Sequence, residues 1–429
     1  MDLSTVRDLA ASTPAQRNRV VDLLRGGAIV VVVLGHWLMA AVQVREGELS
    51  LGHLLALASW THPLTWVFQV MPVFFLVGGY ANGLSWRSAR GRGLPYAAWL
   101  RGRLRRLLVP VVPLLLLWLA AVTVAWAAGV PAGTLRTASQ VALVPTWFLA
   151  AYVLVCAVAP GTLWLWERAG WASVAGGVVL ACLADLVSIG ADTLAVGFVN
   201  YLVVWATVSM LGYAWLDGRL AGTGRRLLLA ALGAVGLVVL VRVGPYPVSM
   251  IGLDDAAVNN SFPTRATMLF LGMLQGGLVL AGELLLGRWM EHPRAWTATV
   301  LVNTRIMTLY LWHLTAMVLL IGVSLLTVAW WATRPLWWAV LAAVTAVFLI
   351  LLGRFETPST DDSAAPPVWL PVVVTVVACA GLGLMAAQGI VSAAGVRWWW
   401  PLLTVAAVGL LLVRLPARAG AEAPVRARP

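Results

Sequence analysis

The sequence predicts an all-α, polytopic integral membrane fold, and three observations carry that prediction. Its 429 residues are 61% hydrophobic and only 11% charged, where a soluble domain has about a quarter of its residues charged. The mean hydropathy is +0.89. Apolar stretches near the roughly 20 residues that span a bilayer recur about twelve times along the chain.

Residues 1–18 are a polar tail. The first span is expected at 23–43, overlapping RVVDLLRGGAIVVVVLGHWLMA (Arg19–Ala40), and reads as an uncleaved span because many others follow it. Further spans are expected at 62–85, 106–128, 145–165, 171–190, 195–216, 226–243, 265–287, 299–327, 335–353, 368–391 and 398–414. The domain organisation that follows is a ten-span body at 19–353, a Pro/Ser/Asp linker at 354–367, an accessory hairpin at 368–414 almost devoid of polar residues, and an Arg/Ala/Pro tail at 415–429.

Charge supports this layout. The net charge is +12 and all 29 basic residues are Arg. With both termini cytoplasmic, only Arg45, Arg136, Arg242, Arg265, Arg334 and Arg397 fall on the outer side, as the positive-inside bias requires of a cell-membrane protein. The pI near 10.8 therefore reflects topology and contact with the lipid bilayer rather than nucleic acid, for which no recognition module is present. Many of the 24 Trp lie near predicted span ends, as interfacial belts do. Cys156, Cys182 and Cys379 are isolated in apolar runs, and the spacing of His53, His62 and His292 supports no metal site.

Polar groups at membrane depth need a reason. In the first span, Arg25 and His36 are eleven residues apart, which on a helix puts them within about 20° of one face and about 16 Å apart along the axis. Asp22 lies about 40° from His36 on the same count and reads first as a cap of the helix start and second as a group that orients Arg25. His36 reads either as a hydrogen-bonded structural histidine or as a functional base, and Arg25 as a donor group or a snorkelling cation.

In MPVFFLVGGYANGLSWR (Met71–Arg87), Gly78, Gly79 and Gly83 suit close packing against the first span and Pro72 permits a kink. Tyr80 and Asn82 are possible site-lining groups there. WLRGRLRRLLVP (Trp99–Pro110) is a basic lead-in to the third span. Its Arg103, Arg105 and Arg106 face either lipid headgroups or a polyanionic cytoplasmic ligand. In TLYLWHLTA (Thr308–Ala316), His313 beside Tyr310 and Trp312 reads first as a packed histidine and second as a catalytic one. Asp185, Asp192, Asp254 and Asp255 lie towards the exterior, as solvated loop ends or acceptor contacts.

Arg25 followed by ten residues and His36, set within D-x-L-R-G-x-A, resembles the first-span signature of the integral-membrane acyltransferase-3 family. MPVFFLVGGY, RGRLRRLLVP, PTWFLAAYVL and LYLWHLTA resemble its later segments in order, over about residues 17–353. The family usually has a Ser-Gly pair where this chain has Gly78 and Gly79, and often a carboxylate after Trp-Phe-Leu, near Tyr152 here. What the resemblance implies is transfer of an acyl group, often acetyl, from acyl-CoA as donor co-substrate to a hydroxyl of a glycan, lipid-linked sugar or secondary metabolite, with no metal. His36 would be the general base and Arg25 would hold the donor. Tyr80, Asn82, Arg103, Arg105, Arg106, Trp147, Tyr310 and His313 would bind donor or acceptor. Two other classes compete: a secondary transporter, against which stand the lack of repeat symmetry and of midplane carboxylates, and a nonenzymatic scaffold, which would leave the Arg25 and His36 stripe unexplained.

Overall fold

The computed structural model describes residues 3–14, 16–45, 48–53, 55, 58–252, 258–327, 334–356 and 365–413. Helices dominate: α1 (Leu3–Ala11), α2 (Arg19–Met39), α3 (Met71–Gly91), α4 (Tyr96–Leu108), α5 (Val111–Ala127), α6 (Ala132–Leu143), α7 (Pro145–Ala169), α8 (Trp171–Gly190) and α9 (Asn200–Leu216). They continue as α10 (Thr223–Val243), α11 (Ala266–Ala281), α12 (Glu283–Glu291), α13 (Pro293–Thr304), α14 (Ile306–Thr327), α15 (Arg334–Leu352), α16 (Trp369–Gln388) and α17 (Trp399–Leu412). Among the described residues nine helices are long and apolar enough to cross a membrane, or up to eleven if the bent pairs α4–α5 (43°) and α11–α12 (53°) each form one span. The twelfth expected span, α17, is a shorter apolar helix of 14 residues.

Element boundaries follow local chemistry. The first helix starts earlier than expected because the Asn18 side chain accepts from the N–H groups of Val20 (3.0 Å) and Val21 (3.4 Å), an N-cap. It ends at Met39, where the chain turns into an antiparallel hairpin of β1 (Ala40–Arg45) and β2 (Glu48–His53). Pro72 sits in the first turn of α3, where its missing N–H costs nothing, so it starts a helix rather than kinking one. The expected span 299–327 is two helices, broken at Arg305. Glu356 closes that break by accepting from Met307 N (2.6 Å), Thr308 N (3.2 Å) and the Thr308 hydroxyl (2.7 Å), while Arg305 donates to the Gly353 carbonyl. A carboxylate at a helix N-terminus also meets the positive end of its dipole, so the helix that carries Tyr310 and His313 is pinned at its start.

One apolar core runs through the bundle, from Val33 and Trp37 of α2 through Phe75, Leu104, Phe148 and Trp205. Outer faces such as Val179, Leu183 and Leu186 of α8 and Leu232, Val235 and Val239 of α10 are exposed and apolar, as contact with lipid requires. The glycines of α3 pack differently from the expectation. A Cβ at Gly79 would collide with the Ser209 carbonyl and one at Gly212 with the Leu76 carbonyl, so the close approach is between α3 and α9, not with the first span. Small residues are the means by which helices associate where lipid removes the hydrophobic drive. The hairpin expected to be accessory is built into the core: Val374, Ala378, Leu382 and Met385 of α16 are fully buried in it, against α7. Arg101 holds the final helix by donating to the carbonyls of Leu411 (3.0 Å) and Val413 (2.8 Å).

Two polar groups brace the bundle. Asp185, expected at a solvated end or acceptor contact, is instead fully buried. It accepts from Asn200 (2.8 Å), Tyr246 (3.0 Å), Ala266 N (2.8 Å) and Arg265 (3.3 Å). Asp192 is exposed, and Asp254 and Asp255 lie outside the described residues. Beyond the end of α9, Asp217 accepts two bonds from Arg87 (2.5 and 3.2 Å) and one from Trp166 (2.9 Å). The Arg87 guanidinium holds its carboxyl below the ordinary value, so this brace is at full strength above about pH 4 and weakens only as pH falls below the ordinary Asp range.

Replacing Asp185 leaves Arg265 as an uncompensated buried charge. Asp185→Leu is expected to cost about 3–5 kcal/mol, read as a large drop in melting temperature of the detergent-solubilised protein. A variant within about 0.5 kcal/mol of wild type would show the pair to be dispensable.

Candidate active site

The helix α2 carries Arg25 near its start and His36 near its end, as the spacing requires, and each finds its partner on α13 or α14, more than 270 residues away in sequence. At the deeper position His36 Nδ1 lies 2.8 Å from His313 Nε2. The two rings are within 4° of parallel with centroids 5.1 Å apart. With the nitrogens that close, this separation is an edge-to-edge, in-plane pair rather than a face-to-face stack.

The other nitrogen of His313 sets the direction of the bond. His313 Nδ1 is 2.7 Å from the Tyr310 carbonyl, and a carbonyl only accepts, so Nδ1 carries the hydrogen. In the neutral ring Nε2 then holds a lone pair. His36 Nδ1 must therefore donate to it, which puts the lone pair of neutral His36 on Nε2. His313 is fully buried and His36 is half-buried. Trp37 donates to the His313 carbonyl (3.3 Å) and the Tyr310 hydroxyl to the Pro145 carbonyl (2.7 Å). Trp118 donates to Thr315 (3.0 Å) one turn on. Together these contacts fix the rotation of α14.

At the other end, Arg25 Nε donates to Asn303 Oδ1 (2.7 Å) and Nη2 to Asp22 Oδ1 (3.1 Å). Asn303 donates in turn to the carbonyls of Asp22 (2.9 Å) and Thr299 (2.8 Å). Asp22, expected first to cap the helix and second to orient Arg25, does not cap it, because Asn18 fills that role; it takes the second part. It is buried and grips both Arg25 and Arg17, the latter through two bonds of 2.6 and 3.0 Å. This second cation, exposed outside the membrane-spanning helix, has its charged form favoured by the bond to Asp22. Arg25 is thus aimed rather than snorkelling, with 34% of its side chain still exposed. Arg103 and Arg106 lie within electrostatic reach of it, as does the phenol of Tyr152. Arg103 also donates to the Ala81 carbonyl (3.2 Å) and sits over the Trp99 ring.

The remaining expected site residues divide. Tyr310 packs beside His313, with centroids 6.1 Å apart. Asn82 is buried and donates to Cys156 Sγ (3.4 Å). Tyr80 packs instead on Trp215, and Trp147 against Tyr201, away from the histidine pair. Arg105 is half-buried on the same basic helix. His62 bonds the Leu55 carbonyl (2.9 Å) and His292 is exposed; the His53 side chain lies outside the described residues. Sequence reasoning missed Asn303 altogether, although an Asn within VLVNT, inside the expected span 299–327, was a signal of the same kind as His36.

The arrangement offers a base nitrogen of defined tautomer, a buried acceptor behind it, and an oriented guanidinium some three turns away along one helix. Residues 18–354, well over half the chain, match the family described as "Acyltransferase domain". Neither a curated protein nor a solved structure matches it. Because the matched region contains every helix that holds the histidine pair and the aimed arginine, the chain belongs to the membrane acyltransferase-3 family and is a multi-pass membrane acyltransferase.

Proposed function

We propose that this protein moves an acyl group, acetyl in the simplest case, from acyl-CoA to a hydroxyl of a glycan, lipid-linked sugar or secondary metabolite. The observation that carries this reading is the directed chain from His36 through His313 to the Tyr310 carbonyl. An alcohol is a weak nucleophile, and a base must take its proton as the oxygen attacks the thioester carbon. His36 Nε2 supplies the lone pair for that step. As His36 becomes an imidazolium, its Nδ1–H bond to His313 Nε2 gains strength, because a charged donor makes the stronger hydrogen bond. The tetrahedral intermediate then expels the CoA thiolate, which takes the proton back from His36, and the new C–O bond is left as an ester. Base and orienting partner follow the same logic as a nucleophile–base–orienter triad, with a neutral imidazole in the third place.

Arg25 suits the donor end. Aimed by Asp22 and Asn303 and joined by Arg103 and Arg106, it offers a planar fork to a phosphate. With the N-terminus in the cytoplasm, as the arginine distribution implies, that cluster faces the compartment holding acyl-CoA, and His36 lies about 16 Å deeper along the helix, where donor thioester and acceptor can meet.

With labelled acetyl-CoA and membranes containing the protein, His36→Ala is expected to lower acyl transfer by 10²- to 10⁴-fold, the worth of a general base; equal rates in wild type and variant would eliminate the base role. His313→Ala should lose less. Its loss should fall in kcat rather than donor KM, and it should move the acid limb of the kcat/KM–pH profile, because the imidazolium at His36 loses its acceptor. An unmoved limb would reduce His313 to a packing residue. Arg25→Ala is expected to weaken donor binding at least tenfold, consistent with about 1.5–3 kcal/mol for a charged hydrogen bond. Unchanged donor dependence would remove Arg25 from that role.

A further inference from the structure

The side-chain space at Gly78 is filled from another helix. A Cβ placed on Gly78 would stand 2.7 Å from Tyr152 Cε2 and 3.3 Å from the Tyr152 hydroxyl oxygen. The phenol of α7 therefore occupies the place that a side chain at position 78 of α3 would take. Any larger residue at 78 would displace the ring, since two helix backbones cannot part to make room in a close-packed bundle.

The ring is held by other aromatic side chains. Phe74 meets it edge-on at 5.3 Å, with Phe75 and Phe148 at 5.9 and 6.2 Å. Tyr152 is nonetheless half-buried. Its hydroxyl lies near Cys156, one turn on, which in turn contacts Asn82, and its electrostatic neighbours are Arg25 and Arg103. From the same ring a ladder of aromatic contacts leads through Phe148 to Tyr310 and then to His313. Tyr152 thus stands between the arginine cluster and the histidine pair, a phenol set among Phe rings.

We propose that Tyr152 is a donor-binding residue: its hydroxyl hydrogen-bonds an amide of the arm that joins the phosphates of acyl-CoA to the thioester, with Gly78 kept side-chain-free so that the phenol can sit there. This rests on the acyl-CoA reading above. An amide carbonyl accepts and its N–H donates, and a phenol can meet either, whereas the surrounding Phe rings can only exclude water. No bond is made or broken by Tyr152; its contribution is to hold the arm so that the thioester reaches His36.

The test is an equilibrium titration of purified full-length protein in detergent with labelled acetyl-CoA, for which no acceptor is needed. Tyr152→Phe keeps the ring and its packing and should raise the donor Kd about three- to tenfold, the worth of one hydrogen bond. Gly78→Ala, which pushes the ring from its place, should raise it at least as much. If wild type binds acetyl-CoA and Tyr152→Phe binds it equally well, Tyr152 is a packing residue and this inference falls while the acyltransferase reading stands. If wild type shows no saturable binding of acetyl-CoA, both fall together.

Discussion

The seam between α2 and the broken pair α13–α14 is the constraint on which the site depends. Two polar contacts close it, Arg25 to Asn303 at one end and His36 to His313 at the other. In lipid such contacts are the means by which one helix finds a unique rotation against another, each worth about 1 kcal/mol. Neither contact survives if either helix turns by one residue, about 100°. The capping of α14 by Glu356 and the Tyr310 bond to Pro145 remove that freedom on one side, and the Asn18 cap and Asp22 clamp remove it on the other.

The rest of the bundle holds this seam in place without entering the chemistry. Close backbone contact between α3 and α9, through Gly79 and Gly212, makes a rigid centre against which α2 packs. The buried Asp185 cluster ties α8, α9 and the segment before α11, none of which carries His36 or His313. The last helix pair completes the wall behind α7, with Arg101 fastening its end, although the region matched to the family ends before it. A stretch with no functional polar group is thus still needed to keep α7, and with it Phe148 and Tyr152, where they stand.

The histidine pair shows how one contact can belong to packing and still be directional. His313 is fully buried and hydrogen-bonded on both nitrogens, which is what a packed, satisfied histidine looks like. Its second bond is nevertheless to His36, and the carbonyl behind it dictates which way that bond points. Satisfied packing at His313 is therefore compatible with the base role proposed for His36.

The membrane class and the approximate place of almost every helix were legible from the chain alone, because hydropathy and the 3.6-residue period are local properties. So was the shared face of Arg25 and His36, since their separation is close to a whole number of turns within one uninterrupted helix. The break at Arg305, the choice between the two readings of Asp22 and the partner of Gly79 were not, because each depends on which faces meet. In apolar helices of nearly uniform composition nothing local marks the contacting face. The same reason hid Asn303 as the partner of Arg25, His313 as the partner of His36, and Tyr152 as the occupant of the space above Gly78. Sequence therefore determined the spans and the stripe on the first helix, and tertiary structure alone decided what that stripe touches, because long-range helix pairing sets the direction of a hydrogen bond and no local pattern encodes it.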